Sequence, residues 1–284
     1  MLAHYEIKNF NLGKLKESLD RCWLNKGKFH SSSVAITSNG EYYSGLMESK
    51  THLLDISSEQ GALVCAVSCK DPHVKEIVTL VAGEFSLNPI IVKVLCDHVR
   101  RTGTYIKYKV YNLEGSELLN LDVMDTYYRP EIKVLEKISS WEKRECKKKY
   151  DESKDLKEQL KECALLGMET HFSSSTKTCY GGSVLSGGWI YFGGVYSSFD
   201  HRMNLHSEMS AFFCALADGC KDVEAIGLVS TKFVSEVPQM CGCCRQFFSE
   251  INKEVMFYGF SMDGTKVFEK NLKEYLPSAW DSNI

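Results

Sequence analysis

The chain has 284 residues, of which 44% are hydrophobic and 25% are charged, and its formal net charge at pH 7 is −3. These values are typical of a globular protein with one or two domains, and they disfavour a strongly basic surface for nucleic acid. No segment approaches the roughly 18 apolar residues that span a membrane, and the first residues lack the basic start and apolar core of a signal peptide.

The cysteine content bears on the cellular compartment. The chain carries 12 cysteines. In a chain of this length with no secretory signal, they indicate reduced thiols and metal ligands more than a disulfide framework. We therefore expect a cytoplasmic protein without membrane contact.

The first part of the chain, over 1–130, predicts one α/β domain. Its segments are a helix over 12–23, strands over 33–37 and 42–46 joined by Asn39-Gly40, a helix over 58–67 and a strand over 76–82. The Asn-Gly pair is a typical turn of a two-residue β-hairpin. A further helix, a strand, a turn at Gly115 and a short last strand complete the unit.

A charged segment over 131–155 follows, in which acids nearly balance the lysines. We interpret it as a solvated linker. A second α/β domain is predicted over 156–284. Its segments are a helix over 156–168, strands over 182–185 and 189–193 joined by Gly187-Gly188, a helix over 206–217, a strand over 225–229 and a helix that opens at Cys241.

The two halves are related by an internal repeat with a constant offset of 149 residues. The matching pairs include Gly45 and Gly194, Glu59 and Glu208, Cys65 and Cys214, Pro89 and Pro238, and Gly115 and Gly264. The alignment needs no gap over this stretch. It therefore predicts a duplicated unit, and a mixed sheet with helices on its faces in each copy.

The second copy carries a candidate catalytic zinc site. His206 and Glu208 form an H-x-E pair, and Cys241 and Cys244 form C-x-x-C about thirty residues later. One imidazole and two thiolates give three protein ligands, which leaves one tetrahedral position open for water. Glu208 is close enough along the chain to act as a general acid/base on whatever occupies that position.

Two other interpretations of these residues stay open. Cys243 could be a fourth ligand of a structural zinc site, although its neighbour Cys244 makes joint ligation awkward. Alternatively, His206 is a buried histidine and the cysteines are unrelated reduced thiols. The joint occurrence of both motifs at suitable spacing favours the catalytic site.

The first copy has lost the ligand set. Ser57 stands in the place of His206, and Val92 and Leu95 stand in the places of the two cysteines, although Glu59 remains. This half is expected to bind no metal, and Glu59 is expected to be a hydrogen-bonded relic.

The second half resembles the cytidine deaminase superfamily. The resemblance rests on His-Ser-Glu at 206–208, on Cys-Gly-Cys-Cys-Arg-Gln at 241–246, and on the Asp263-Gly264-Thr265 turn followed by Glu274-Tyr275-Leu276-Pro277-Ser278. It implies two tandem α-β-α sandwich domains with mixed sheets, one Zn²⁺ per chain and a homodimer. It also implies that Arg245 offsets thiolate charge. Two-domain members of the superfamily likewise pair an active copy with a degenerate one.

The resemblance implies hydrolytic deamination of a cytosine-type nucleoside, as in nucleoside metabolism and pyrimidine salvage, but the ribose-binding pattern departs from the family. The family's Asn-x-Glu falls on Val195 and Ser197. The following loop could replace it, with Tyr196 and Phe199 stacking on a base. Its polar candidates for binding substrate are Ser197, Asp200 and Asn204.

Two alternative functions follow from the same residues. One is deamination of cytosine in RNA or single-stranded DNA. The absence of the family's ribose-binding Asn-x-Glu favours it, and the acidic net charge disfavours it. The other is a zinc-stabilised scaffold without catalysis, which has no need of Glu208.

Overall fold

The computed structural model describes residues 12–23, 30–50, 54–126, 129, 131–174 and 177–276. Within these residues the chain forms two mixed β-sheets, one with five strands and one with six, and helices pack on them. The predicted α/β class with two tandem units is confirmed. Pro277 and Ser278, the end of the closing sequence pattern, lie outside the described residues.

The first sheet and its helices come from residues before 123. In chain order the elements are α1 (Leu12–Glu17), β1 (His30–Ile36), β2 (Glu41–Gly45), α2 (Ser58–Ser68), β3 (Glu76–Ala82), α3 (Pro89–Thr102), β4 (Lys107–Asn112) and β5 (Glu117–Asp122). The predicted helix over 12–23 is shorter than expected, because the chain tightens into a 3₁₀ turn at Ser18–Arg21.

The second sheet follows the same plan. Its elements are β6 (Lys147–Lys149), α4 (Leu156–Glu169), β7 (Tyr180–Ser186), β8 (Trp189–Gly194), α5 (Ser207–Ala217), β9 (Ala225–Ser230), α6 (Gly242–Ile251), β10 (Met256–Phe260), β11 (Val267–Asn271) and α7 (Leu272–Tyr275). Strand β6 lies inside the segment predicted to be a linker and pairs with β8 at the sheet edge. The domain boundaries remain a prediction.

The strand order shows the repeat directly. The first sheet runs β2-β1-β3-β4-β5, and the second runs β8-β7-β9-β10-β11 with β6 added beyond β8. Ser32 faces Gly45 in the first hairpin, and Gly181 faces Gly194 in the second. The parallel pairs β3–β4 and β9–β10 keep the same offset of 149 residues in register. The halves are therefore duplicates in topology and in register.

Helices α2 and α5 lie in contact between the two sheets. All eleven residues of α2 are buried, as are all residues of α5 except the last. Neither helix has a polar stripe facing solvent, which is typical of a helix in the core of a protein. The two helices approach closely because Gly61 leaves room for Phe213, whose Cδ1 atom lies 2.8 Å from the place of a Cβ at Gly61.

Helix α4 covers the other face of the second sheet. It packs on β7, β8 and β9, and its residues Leu160 and Ala164 share a core with Leu185 and Ile190. The neighbouring strand residue Val184 belongs instead to the core around α5. This alternation is the period-two pattern of a strand buried on both faces, and it gives the second half the predicted α-β-α sandwich.

A buried seam of aromatic and polar side chains joins the halves beside α3. The Tyr196 hydroxyl lies 3.0 Å from His98 Nδ1, and the rings of both residues stack with Phe172. Burial lowers the pKa of His98 to about 4, so its ring is neutral at pH 7. Arg101 donates to the Phe172 carbonyl at 3.3 Å. The two halves therefore share hydrogen bonds as well as apolar packing.

No helix among the described residues combines the length and the apolar character needed to cross a bilayer.

The contact between α2 and α5 predicts a large difference between two phenylalanine truncations. Phe213→Ala removes a fully buried ring and should lower the free energy of unfolding by about 3–5 kcal/mol, because it leaves a cavity. Phe199→Ala, at a side chain that is 40% exposed, should change it by only about 0.5 kcal/mol. Urea unfolding of both variants provides the measurement. Equal effects would show that the α2–α5 contact does not stabilise the fold.

Candidate metal centre

Two helix starts bring the three predicted ligands together. His206 is the N-cap residue of α5, and Cys241 is the N-cap residue of α6. His206 Nδ1 lies 3.3 Å from Cys241 Sγ and 3.2 Å from Cys244 Sγ. The ligand atoms of all three side chains lie within 4.8 Å of one another. This group can therefore hold a metal ion.

The donor set fits zinc. One imidazole nitrogen and two thiolate sulfurs are ligands that Zn²⁺ prefers, and three protein ligands are the number found in catalytic sites. Within the described parts of the chain, this group of close His, Cys, Asp or Glu ligand atoms has these three members and no fourth. Cys243 is exposed and outside the group. The geometry therefore favours an open site over a four-ligand structural one.

The ligands interact strongly with one another without a metal. The hydrogen bond to Cys241 raises the pKa of His206 to about 8. The hydrogen bond from Cys244 lowers the pKa of Cys241 to about 3, and the same contact together with burial raises the pKa of the Cys244 thiol well above its usual value. The metal-free group at pH 7 therefore holds one thiolate, one thiol and one imidazolium.

Glu208 lies in the first turn of α5, and only 3% of it is exposed. The Ser207 hydroxyl donates to its Oε2 atom at 3.0 Å. Burial raises the pKa of this carboxyl, because an apolar setting disfavours the charged form. A carboxyl whose pKa is shifted towards neutrality is suited to taking and giving a proton.

A glycine on β7 brings the sheet against the start of α5. A Cβ atom at Gly182 would lie 2.4 Å from the backbone nitrogen of Glu208 and 2.5 Å from the carbonyl carbon of Ser207. Real Cβ atoms do not approach backbone this closely. The sequence feature Gly181-Gly182 thus permits the contact that positions Glu208.

His206, Glu208 and Cys241 open into one cavity of about 360 Å³. The volume is within the range of roughly 300–1,000 Å³ typical of small-molecule sites. Among the described residues that line it, none is a lysine or an arginine. Its polar lining residues away from the metal ligands are His171, Ser173, Thr178, Tyr180, Asn204 and Gln239.

Sequence reasoning found only Asn204 of these six. The other five come from three separate segments: the turn after α4, the start of β7 and the loop before α6. Spacing to the ligands gives no sign of the four residues in the first two segments, because each joins the cavity through the tertiary fold. The position of Gln239, two residues before Cys241, offers the one local signal.

The other predicted substrate residues lie elsewhere. Tyr196 is buried in the seam with His98, and the backbone of Ser197 pairs with Phe172. Phe199 is partly exposed, with Lys93 Nζ 5.7 Å from its ring centroid. Asp200 lines a second cavity, which lies in the first half. A role in substrate binding stays a prediction for these four.

Arg245 packs on α7. Its guanidinium lies 4.6 Å from the ring centroid of Tyr275, and Nη1 donates to the Tyr275 carbonyl at 3.2 Å. This contact ties the last helix to the helix that carries the cysteines. The predicted support of the thiolates by Arg245 stays a prediction.

The first copy places different side chains at the matching positions. Ser57 is the N-cap of α2, and its hydroxyl accepts from the Gln60 amide at 3.2 Å, as a capping serine does. Val92 and Leu95 are buried in the core. Within the described residues, His206, Cys241 and Cys244 make the one close group of possible ligands. That the first half binds no metal stays a prediction.

Glu59 is hydrogen-bonded, as predicted. Its Oε1 atom accepts from the Thr79 hydroxyl at 2.9 Å and from the Tyr108 hydroxyl at 2.7 Å. The matching positions in the second copy are Leu228 and Phe257, which offer no donor. The two glutamates therefore share a position and differ in environment.

Comparison with known proteins finds similarity in structure only. The fold is similar to the cytidine deaminase of Burkholderia pseudomallei, with 24% identity, a TM-score of 0.40 and coverage of 43% of this chain and 98% of that one. The cytidine deaminase of Mycobacterium leprae matches with 16% identity, a TM-score of 0.37 and coverage of 44% and 100%. That of Mycobacterium tuberculosis matches with 18% identity, a TM-score of 0.38 and coverage of 45% and 99%. No protein-family profile and no curated protein matches the sequence.

The protonation of the metal-free ligands predicts proton release on metal binding. Near pH 7, zinc uptake should release roughly two protons, from the His206 imidazolium and the Cys244 thiol. Because the Cys244 thiol must lose its proton, zinc affinity should fall with falling pH, and it should fall more steeply below about 8, where His206 also binds a proton. Calorimetric titration in buffers of different ionisation enthalpy gives the proton count. A count of zero would contradict the assigned ligand set.

The close approach at Gly182 predicts a cost for a single added methyl group. Gly182→Ala should lower the free energy of unfolding by about 1–3 kcal/mol, because the new Cβ meets backbone and not a flexible side chain. Gly242→Ala adds a Cβ that meets nothing within 4 Å, and it should be nearly neutral. Thermal unfolding of the two variants tests this difference. Equal stability would mean that β7 does not hold the start of α5.

Proposed function

We propose that the chain is a zinc-dependent hydrolase that deaminates a cytosine-type nucleoside, with water consumed and the uracil-type product and ammonia released. The observation that carries the proposal is the buried Glu208 carboxyl, which opens into the same cavity as His206 and Cys241. A metal site that serves structure alone has no use for an acid/base group in a ligand-sized cavity.

The residues of the site have separate tasks in this reaction. When bound, zinc would supply Lewis-acid activation of water near neutral pH. Glu208 would take a proton at its carboxylate and return it to the base, and its raised pKa supports both steps. The Ser207 hydroxyl holds the carboxylate through Oε2, which supports a fixed direction for the transfer.

The size and charge of the cavity support a neutral nucleoside as substrate. About 360 Å³ accommodates a base and a sugar. The absence of lysine and arginine from the described lining residues disfavours a phosphorylated substrate, since phosphate sites use such groups. Thr178 and Gln239 line the cavity and could bind sugar hydroxyls, which would compensate for Val195 at the family's asparagine position.

The experiment is an ammonia-release assay of the zinc-loaded full chain. The panel contains cytidine, deoxycytidine, their monophosphates, cytosine, modified cytosine nucleosides and single-stranded oligonucleotides. We expect turnover of at least one free nucleoside and little or none of the monophosphates. Turnover of oligonucleotides alone would support the nucleic-acid alternative instead.

Glu208→Gln is the matched control for catalysis. The amide keeps the size of the side chain and cannot take the proton, so activity should fall by about 10²–10⁴-fold while zinc stays bound. Zinc content is measured by atomic absorption on the same preparation. Full activity in this variant would sink the proposed mechanism, and a zinc-replete wild type inactive on the whole panel would favour the scaffold alternative.

A homodimer and a cytoplasmic location remain predictions from the sequence. Light scattering of the purified chain tests the first of these.

A further inference from the structure

Three short segments of the second half form one wall of the metal cavity. Phe172 pairs with Tyr196 in the parallel sense, and Tyr196 pairs with Leu205 in the antiparallel sense. Both backbone hydrogen bonds between Tyr196 and Leu205 are 2.9 Å long. We refer to these paired segments as the cavity wall: 171–173, 195–197 and 204–206.

The two faces of the cavity wall have different surroundings. Phe172, Tyr196 and Leu205 are buried in the core. Their neighbours along the chain point the other way, as successive residues of a strand do. The neighbours that line the metal cavity are His171, Ser173, Val195, Asn204 and His206. One face of the wall is therefore open to a substrate, and the other lies against the protein interior.

Helix α3 of the first half lies against the inner face. The ring centroid of His98 is 5.3 Å from that of Phe172, and His98 Nδ1 lies 3.0 Å from the Tyr196 hydroxyl. The Arg101 guanidinium lies 5.6 Å from the Phe172 ring centroid. The first half thus backs the metal cavity of the second.

Arg101 joins two of the three segments of the wall. Its Nη1 atom donates to the Phe172 carbonyl at 3.3 Å and to the Ser197 carbonyl. Its Nη2 atom lies 3.0 Å from Asp97 Oδ2, and both side chains are only 5% exposed. A planar guanidinium can hold a carboxylate and two carbonyls at once, whereas an ammonium offers a single nitrogen. The ion pair with Asp97 therefore fixes the direction in which Arg101 reaches the wall.

We infer that Arg101 is a positioning residue for substrate binding, which fixes the cavity wall from the first half. The side chains whose places it sets are His171, Ser173 and Val195. The inference rests on the proposed function, because it takes a free nucleoside as the occupant of the cavity. Glu208 and the cysteines are carried by the starts of α5 and α6, which Arg101 does not contact. Loss of Arg101 should therefore weaken substrate binding more than it slows the chemical step.

The first measurement is steady-state turnover by the zinc-loaded full chain and by the double variant Asp97→Leu/Arg101→Met. The substrate is cytidine or deoxycytidine, whichever the wild type turns over faster. Removing both members of the buried ion pair leaves no charge unpaired, so the double variant should fold. We expect KM to rise about tenfold, with kcat within about twofold and zinc content unchanged.

Arg21→Met is the matched control. Arg21 also donates from the first half to a backbone carbonyl of the second, that of Ala217, which lies at the far end of α5 from the cavity. Its KM should equal that of the wild type. An unchanged KM in the folded double variant, or a fall in kcat without a rise in KM, overturns the inference. Loss of zinc overturns it as well, because Arg101 would then hold the metal ligands and not the substrate wall.

Hydrogen exchange separates a failure of this inference from a failure of the proposed function. The Phe172 amide donates to the Val195 carbonyl at 2.7 Å, and the Ser197 amide donates to the Phe172 carbonyl at 3.0 Å. Peptides that contain these two amides should exchange about tenfold faster in the double variant and at the wild-type rate in Arg21→Met. If the wild type turns over no nucleoside, the proposed function fails, and the exchange rates alone decide whether Arg101 holds the wall.

Arg101→Lys covers the case in which the double variant fails to fold. Its ammonium keeps a partner for Asp97 but cannot also hold both carbonyls, so KM should rise about threefold or more. Arg21→Lys makes the same substitution at the control position and should leave KM unchanged. A wild-type KM in a folded Arg101→Lys protein would count against the inference.

Discussion

The contact between α2 and α5 is the constraint on which the rest of the structure depends. Both helices are buried nearly all round, because each packs on its own sheet and on the helix of the other half. The start of α5 supplies His206 and Glu208, and its position is set by Gly182 on one side and by α2 on the other. All three candidate ligands of the metal centre come from the second half, whereas elements of both halves hold the helix that carries it.

The two glutamates show how environment assigns a role to a residue. Glu59 and Glu208 occupy the same place in duplicated units. Hydroxyl donors from β3 and β4 hold Glu59, whereas the matching residues in the second half, Leu228 and Phe257, have no hydroxyl to donate. Burial raises the pKa of Glu208, which suits a carboxyl that takes and gives a proton. The same side chain is therefore a hydrogen-bonded group in one half and the proposed acid/base group in the other.

Sequence patterns were sufficient to predict the features that depend on local periodicity and on the spacing of motifs. Strands, buried helices and the three-ligand group follow from alternation, from glycine turns and from the H-x-E and C-x-x-C motifs. The direction of loop side chains does not follow from these, and Tyr196 shows why: its hydroxyl finds His98, about a hundred residues away in sequence. The cavity lining was missed for the same reason, because it is assembled from segments that are neighbours only in the folded chain.

The helix that replaces the cysteine loop in the first half has an evolutionary consequence. Helix α3 begins at Pro89 with Asn88 as its cap, and it ends at the position that matches the end of α6, so it carries one more turn at its start. Val92 is therefore inside a regular helix where Cys241 stands at a helix start. Restoring the ligands by three substitutions would not restore a site, since that turn would also have to unwind and the serine cap of α2 would be lost. Reversion at the three ligand positions alone would therefore leave the first half without a metal centre like that of the second.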